Sequence, residues 1–189
     1  MTKKELRKIY IEKRNALSER EVLRADDLLL IRFQQLYFES LNVAHSYMAG
    51  PGKKEFDTTH ILDYLRFQYP ELVVAVPRIY PGSFEMEHIV VDDDTVYQPN
   101  TWGIPEPIEG TVIEPSAIDL VLVPLLCFDE RGYRVGYGKG YYDRFLAQCR
   151  PDVVKLGLSY FEPVPVITDA ADFDVPLNYC ITPENSYEF

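Results

Sequence analysis

Five residues carry the densest chemical signal in this 189-residue chain: Gly136-Tyr137-Gly138-Lys139-Gly140. Arg134 and Val135 precede them, and Tyr141, Tyr142 and Asp143 follow. Glycines lack a Cβ and let backbone N–H groups approach an anion closely. Lys139 and Arg134 add full positive charge. Arginine can grip two oxygens at once, whereas lysine acts as a mobile point charge. The pattern is therefore suited to holding phosphate groups. A glycine-rich connection that binds nothing is the alternative.

The elements on either side fit that chemistry. Asp119 to Phe128 is an apolar run rich in Val and Leu, as expected of a strand buried on both faces. Asp129 to Gly140 reads as a loop. Tyr141 to Cys149 has helical spacing, with Tyr142, Phe145 and Leu146 on one side. The first N–H groups of a helix have no partner within it and favour anions. The two common nucleotide signatures nevertheless fail. The glycines do not space as Gly-x-Gly-x-x-Gly, and a P-loop would need glycine where Tyr133 stands.

Phe128-Asp129, Gly132, Arg134 and the run from Gly136 to Asp143 resemble the signature of the 5-formyltetrahydrofolate cyclo-ligase family, also called methenyltetrahydrofolate synthetases. The resemblance extends over almost the whole chain. It implies an enzyme that cyclises 5-formyltetrahydrofolate to 5,10-methenyltetrahydrofolate, with ATP as co-substrate and Mg2+ as metal. It also implies residue roles. Lys3-Lys4-Glu5-Leu6-Arg7 matches a pattern that contacts ATP, together with Arg134 to Tyr142. Met48, Glu55 and Trp102 match folate contacts, with Tyr137 to Tyr141 lying between both ligands. Asp143 and Asp174 match the metal carboxylates, and Lys139 and Arg134 the catalytic cations. The segment at 49–54 is longer than the family's usual form. A non-catalytic folate- or nucleotide-binding protein on the same scaffold, or another kinase or ligase on a similar sheet, would be the competing readings.

Apart from the resemblance, the residues leave these assignments open. Lys3 and Arg7 are four apart, so on a helix over residues 2–16 they share a face. A solvated basic helix would show the same spacing. Glu55 precedes a helix start at Asp57-Thr58 and by itself reads equally as a surface glutamate; in the role the resemblance implies, a carboxylate can accept two hydrogen bonds from an aminopyrimidine edge. Trp102 lies in a proline-rich segment from Tyr97 to Glu109, read as irregular. It offers a flat face for stacking, or simply a core side chain. Arg78 ends a strand and can serve an anion or cap that strand. Asp174 by itself reads as a turn residue.

Composition narrows the class. Hydrophobic residues make up 47% of the chain, which suits a packed globule and excludes general disorder. No apolar run approaches the ~20 residues that span a bilayer, and the N-terminus lacks a signal-peptide core, so a cytoplasmic protein is expected. Three widely spaced cysteines, Cys127, Cys149 and Cys180, form neither a disulfide framework nor a zinc pattern, and His45, His60 and His88 show no ligand spacing. The net charge of −11 argues against a nucleic-acid surface. Residues 1–14 carry +4 and the rest −15, so positive charge is concentrated where an anionic ligand needs it.

Further strands are expected over Leu41 to Met48, Leu72 to Ile79, Ser83 to Val90, Val153 to Ser159 and Tyr179 to Thr182. Ser18 and Glu21 form a capping box for a helix bearing Val22, Ala25, Leu29 and Phe33. Strands alternating with helices favour an α/β fold: one open, mostly parallel sheet flanked by helices, three-layered and Rossmann-like, in a single domain over 1–189. A monomer or weak dimer is expected.

Overall fold

The computed structural model describes residues 1–80 and 82–189. Two helices open the chain, α1 (Lys3–Ala16) and α2 (Glu19–Phe33), and each begins with a capping box. Thr2 accepts from the Glu5 amide while Glu5 returns to the Thr2 amide, and Ser18 and Glu21 repeat the arrangement. Two otherwise orphaned donors are thus satisfied at each start.

In order there follow β1 (Val43–His45), α3 (Thr59–Gln68), β2 (Val73–Ile79), β3 (Met86–Val91), β4 (Tyr97–Pro99), β5 (Pro105–Pro107) and β6 (Val112–Ile113). The second half holds β7 (Leu120–Val123), β8 (Cys127–Phe128), β9 (Arg134–Val135), α4 (Tyr141–Leu146), β10 (Val154–Leu158), β11 (Tyr179–Ile181) and β12 (Ser186–Glu188). The main sheet runs β12-β11-β10-β7-β1-β2-β3-β6. Its five central strands, β11 to β2, are parallel, while β12, β3 and β6 are antiparallel to their neighbours. The expected α/β class and mostly parallel sheet are what the chain forms.

β7 shows why the sheet is central. All four of its residues are buried. Leu120 and Leu122 pack with Leu29, Phe33, Ile61 and Leu65 of α2 and α3. Val121 and Val123 point the other way, into Phe145 and Leu146 of α4. The period-two alternation of a strand thus places helices on both faces.

Several expected boundaries change, the strand expected over Leu41 to Met48 shrinking to Val43–His45, and four of the changes have a clear local reason. The apolar run from Asp119 to Phe128 is not one strand. Pro124 lacks the N–H that a ladder needs, so β7 stops at Val123 and the chain resumes as β8. The expected loop after Phe128 contains β9, which pairs with β8 as a hairpin. The helix expected to reach Cys149 ends at Leu146. Gln148 and Cys149 donate instead to the carbonyls three residues back, ahead of Pro151. The segment from Tyr97 to Glu109 is a hairpin, β4 with β5, rather than irregular chain. The Asn100 side chain holds its turn by accepting from Trp102 N at 2.9 Å and Ile104 N at 3.1 Å.

One buried pair lies in the sheet itself. His45 of β1 and His88 of β3 are 0% and 3% exposed, and His88 Nδ1 and His45 Nε2 are 3.1 Å apart. The His88 ring stacks on Phe145 at 4.0 Å between centroids. Burial pushes the His88 imidazole down to about 4, with Glu87 opposing, and holds His45 well below its usual value. Burial disfavours the charged form, so the folded state refuses a proton that the unfolded chain accepts near 6.5. Stability is therefore full above that point and is expected to fall as pH drops from about 6.5 to about 4. His88 alone accounts for about 3 kcal/mol over the whole window. Denaturant unfolding between pH 7 and 5 checks this. His88→Phe should flatten the slope, and an equally steep slope in that variant would refute the assignment.

Candidate active site

A cavity of about 530 Å³ opens at the carboxyl ends of the parallel strands. Tyr47 and Met48 follow β1, Pro77 and Ile79 lie in β2, Pro124 follows β7, and all of them line it. Ligands bind at that edge of an open α/β sheet because loops diverge there and leave a crevice.

One wall is the stretch from Gly136 to Asp143. The β8–β9 hairpin aims it. Cys127 pairs with Val135 and Phe128 with Arg134, and α1 packs Leu6 and Tyr10 against Leu126, Cys127 and Val135. The Arg134 side chain is 5% exposed and donates to Asp143 Oδ1 at 3.0 Å and to the Val175 carbonyl. Burial pulls its guanidinium below the usual value and Asp143 opposes that, yet an arginine keeps its charge. Arg7 Nε donates to the Gly136 carbonyl at 2.9 Å. Gly138 has φ +89°, and a Cβ there would stand 3.0 Å from the Arg7 Cζ. Only glycine allows both that backbone conformation and that approach. Lys139 is exposed on the cavity wall, without a carboxylate ion pair among the described residues.

Lys3 lies at the same end. Its ammonium pairs with Asp174, which also accepts from Ala171 N at 2.6 Å. Asp143 Oδ1 is taken by Arg134 and by Val175 N at 3.2 Å. Each carboxylate therefore has one oxygen already committed. No cluster of three or more His, Cys, Asp or Glu suited to a metal exists among the described residues. Two carboxylates alone do not complete a shell. Their hard oxygen donors do fit a Mg2+ that arrives with phosphate oxygens and water.

Glu55 occupies another part of the lining. Its Oε2 accepts from Gly50 N at 2.8 Å, so its own loop fixes it. Three phenols surround it: Tyr47, Tyr137 and Tyr142. Each is pushed up by burial first and by the Glu55 carboxylate second. All three stay protonated near neutral pH, and the Tyr47 hydroxyl is already committed as donor to the Phe56 carbonyl at 3.1 Å. The Tyr142 hydroxyl is buried without a hydrogen-bond partner among the described residues. Trp102, 46% exposed, stands at the tip of the β4–β5 hairpin and lines the cavity with Met48.

The structure thus brings together Lys3, Arg7, Arg134, Gly136 to Asp143, Asp174, Met48, Glu55 and Trp102 around one cavity. It does not place Lys4, Glu5, Leu6 or Val135 on the lining. Lys4 and Glu5 are exposed, Glu5 being the capping partner of Thr2, while Leu6 and Val135 are buried in the packing beneath the loop. Three charged residues on or beside the lining escaped sequence reasoning: Lys53, Glu106 and Arg14. Glu106 is 8% exposed, and its Oε1 accepts from Asn100 Nδ2 at 2.8 Å and Ile79 N at 3.2 Å. For Arg14 the signal was present. It lies seven residues after Arg7, two helical turns, and so shares its face.

The family model for 5-formyltetrahydrofolate cyclo-ligases matches residues 1–183. The chain belongs to that family. A cyclo-ligase of this name from Mycoplasma pneumoniae is 29% identical over 187 residues, covering 97% of this chain and all of that one. The solved 5,10-methenyltetrahydrofolate synthetase of Aquifex aeolicus superposes with a TM-score of 0.78 at 32% identity, covering 100% of this chain and 93% of that one. The synthetase structure from Mycoplasma pneumoniae gives 0.75 at 26% identity, with 97% and 99% covered. In this cyclo-ligase family member the cavity and the glycine loop fall well inside the matched region.

Proposed function

We propose that the protein closes the ring of 5-formyltetrahydrofolate to give 5,10-methenyltetrahydrofolate, with conversion of ATP to ADP and phosphate. One observation carries this reading beyond family membership: a single cavity is lined by Lys3, Arg7, Arg134 and Lys139 and also by Glu55, Met48 and Trp102, with the glycine loop as a shared wall. The first set suits a polyphosphate and the second a reduced pteridine.

A formamide oxygen is a poor leaving group. Transfer of the γ-phosphoryl to that oxygen makes it a good one and leaves an iminium phosphate. N10 then attacks the activated carbon, the carbon–oxygen bond breaks, and phosphate departs with both electrons and takes up the N10 proton. Phosphoryl transfer asks mainly for placement and charge neutralisation. Lys139 and Arg134 supply the charge at the transferring group. Lys3 and Arg7 hold the remaining phosphates, and Arg7 also fixes the loop through Gly136 O. Mg2+, held through Asp143 and Asp174, would offset phosphate charge. Glu55 accepts from the donor edge of the pterin, and Trp102 and Met48 cover its faces. No general base is required.

The test is direct. Purified protein with ATP, Mg2+ and 5-formyltetrahydrofolate should generate the methenyl chromophore and one ADP per turnover. Chelation of the divalent cation should abolish the signal, and added Mg2+ should restore it. Binding of both ligands without product would instead mark a non-catalytic binding protein.

A further inference from the structure

Arg14 is 4% exposed and has no carboxylate within 4.0 Å among the described residues. A buried cation without an ion-pair partner is costly, and its Nε has no hydrogen-bond partner among the described residues. Its two other nitrogens are committed. Nη2 donates to the Leu125 carbonyl at 2.5 Å, beyond the end of β7, and Nη1 donates to the Tyr137 hydroxyl at 3.3 Å. The first contact ties α1 to the sheet. The second ties α1 to a side chain of the glycine loop.

A phenol has one proton and accepts through its lone pairs. Because Tyr137 accepts from Arg14, its own proton is left to be given elsewhere. Tyr137 and Glu55 line the same cavity, and after burial the Glu55 carboxylate helps push this phenol up. Arg14 also borders a small crevice that shares Tyr47, Glu55 and Pro124 with the main cavity. The Tyr137 ring is fixed independently, since Lys53 Nζ lies 4.6 Å from its centroid. Arg7 holds the preceding carbonyl of the same loop. Two arginines on one face of α1 therefore grip adjacent residues, one by backbone and one by side chain.

We infer that Arg14 is a positioning residue for the folate pocket: it fixes the Tyr137 hydroxyl as an acceptor, so that the phenol proton goes to Glu55 and orients the carboxylate that meets the pterin. The inference rests on the folate reading of Glu55 given above. The chain Arg14 to Tyr137 to Glu55 also links the helix that carries Lys3 and Arg7 to the pteridine end of the cavity.

Steady-state kinetics on Tyr137→Phe, Arg14→Lys and the double variant test it. Tyr137→Phe keeps the ring and removes only the hydroxyl. It should raise KM for 5-formyltetrahydrofolate about tenfold and leave KM for ATP within about twofold. Arg14→Lys, which keeps the charge but loses the fork, should shift the same parameter. The double variant should be no worse than Tyr137→Phe, since both changes break one chain. Equal rises in both KM values, or single effects that multiply in the double variant, would overturn the inference. If Arg14→Lys does not fold, Arg14→Gln takes its place, read through the same two KM values and the same double variant. Failure of the unmodified protein to form the methenyl product would sink the folate reading itself. Normal turnover with an unchanged folate KM in Tyr137→Phe sinks only the role of Arg14.

Discussion

Lys139→Ala is expected to lower kcat by about three orders of magnitude, because preorganised charge at a transferring phosphoryl group is among the largest catalytic terms. The side chain is exposed on the cavity wall and has no ion pair with a carboxylate among the described residues. Its removal leaves no buried charge stranded, so the thermal midpoint should move by a degree or two at most. The glycines on both sides keep the backbone in place, with φ +89° at Gly138 and +71° at Gly140. KM for the folate should be nearly unchanged, since the loss is felt where charge develops. Lys139→Arg should recover part of the rate, having charge but a different reach. Single-turnover measurement of ADP formation separates this step from product release. A Lys139→Ala protein with near-normal ADP formation would remove this residue from the chemistry.

The contrast between Lys139 and Arg134 shows what sequence can convey. Both were legible as cations flanking glycines. Their environments were not. Lys139 is solvent-exposed, while Arg134 is a buried strand residue paired with Asp143. That difference arises because the β8–β9 hairpin folds the chain back on itself, and a two-residue strand with a charge in it has no periodic signature. The long elements were legible for the opposite reason. α1, α2 and β7 each carry repeated apolar positions that only one geometry can bury together. Edge strands such as β12 depend on pairing with a neighbour and offer little pattern of their own. His45 and His88 are 43 residues apart, and only the β1–β2–β3 order brings their rings together. Arg14 sat in a basic run, where nothing local distinguishes a buried arginine from a solvated one. Its spacing from Arg7 was the sole hint. Glu106 lay hidden between two prolines in a segment read as irregular, and the hairpin it belongs to explains why its carboxylate is buried.

Glu55→Gln is the second large effect, and it should fall on the other substrate. The change keeps the shape but removes the negative charge and turns one acceptor into a donor. In the folded protein one oxygen is already taken by Gly50 N at 2.8 Å. The amide oxygen can keep that bond, which forces its NH2 group toward the phenols and the pterin edge. Donor would then face donor, and a buried donor without an acceptor costs more than the lost bond itself. kcat/KM for 5-formyltetrahydrofolate should drop by about 10²-fold, while KM for ATP stays near its original value. The phenols of Tyr47, Tyr137 and Tyr142 respond as well. Each loses a nearby carboxylate that helps hold its proton, so each should ionise at a lower pH than in the unmodified protein, though burial still keeps them above the ordinary tyrosine range. Ultraviolet titration of tyrosinate absorbance reads that shift without reference to catalysis. A Glu55→Gln protein with unchanged folate kinetics and a shifted tyrosine titration would leave the carboxylate in its cluster of phenols but deny it the pterin. Unchanged kinetics with an unchanged titration would deny it both.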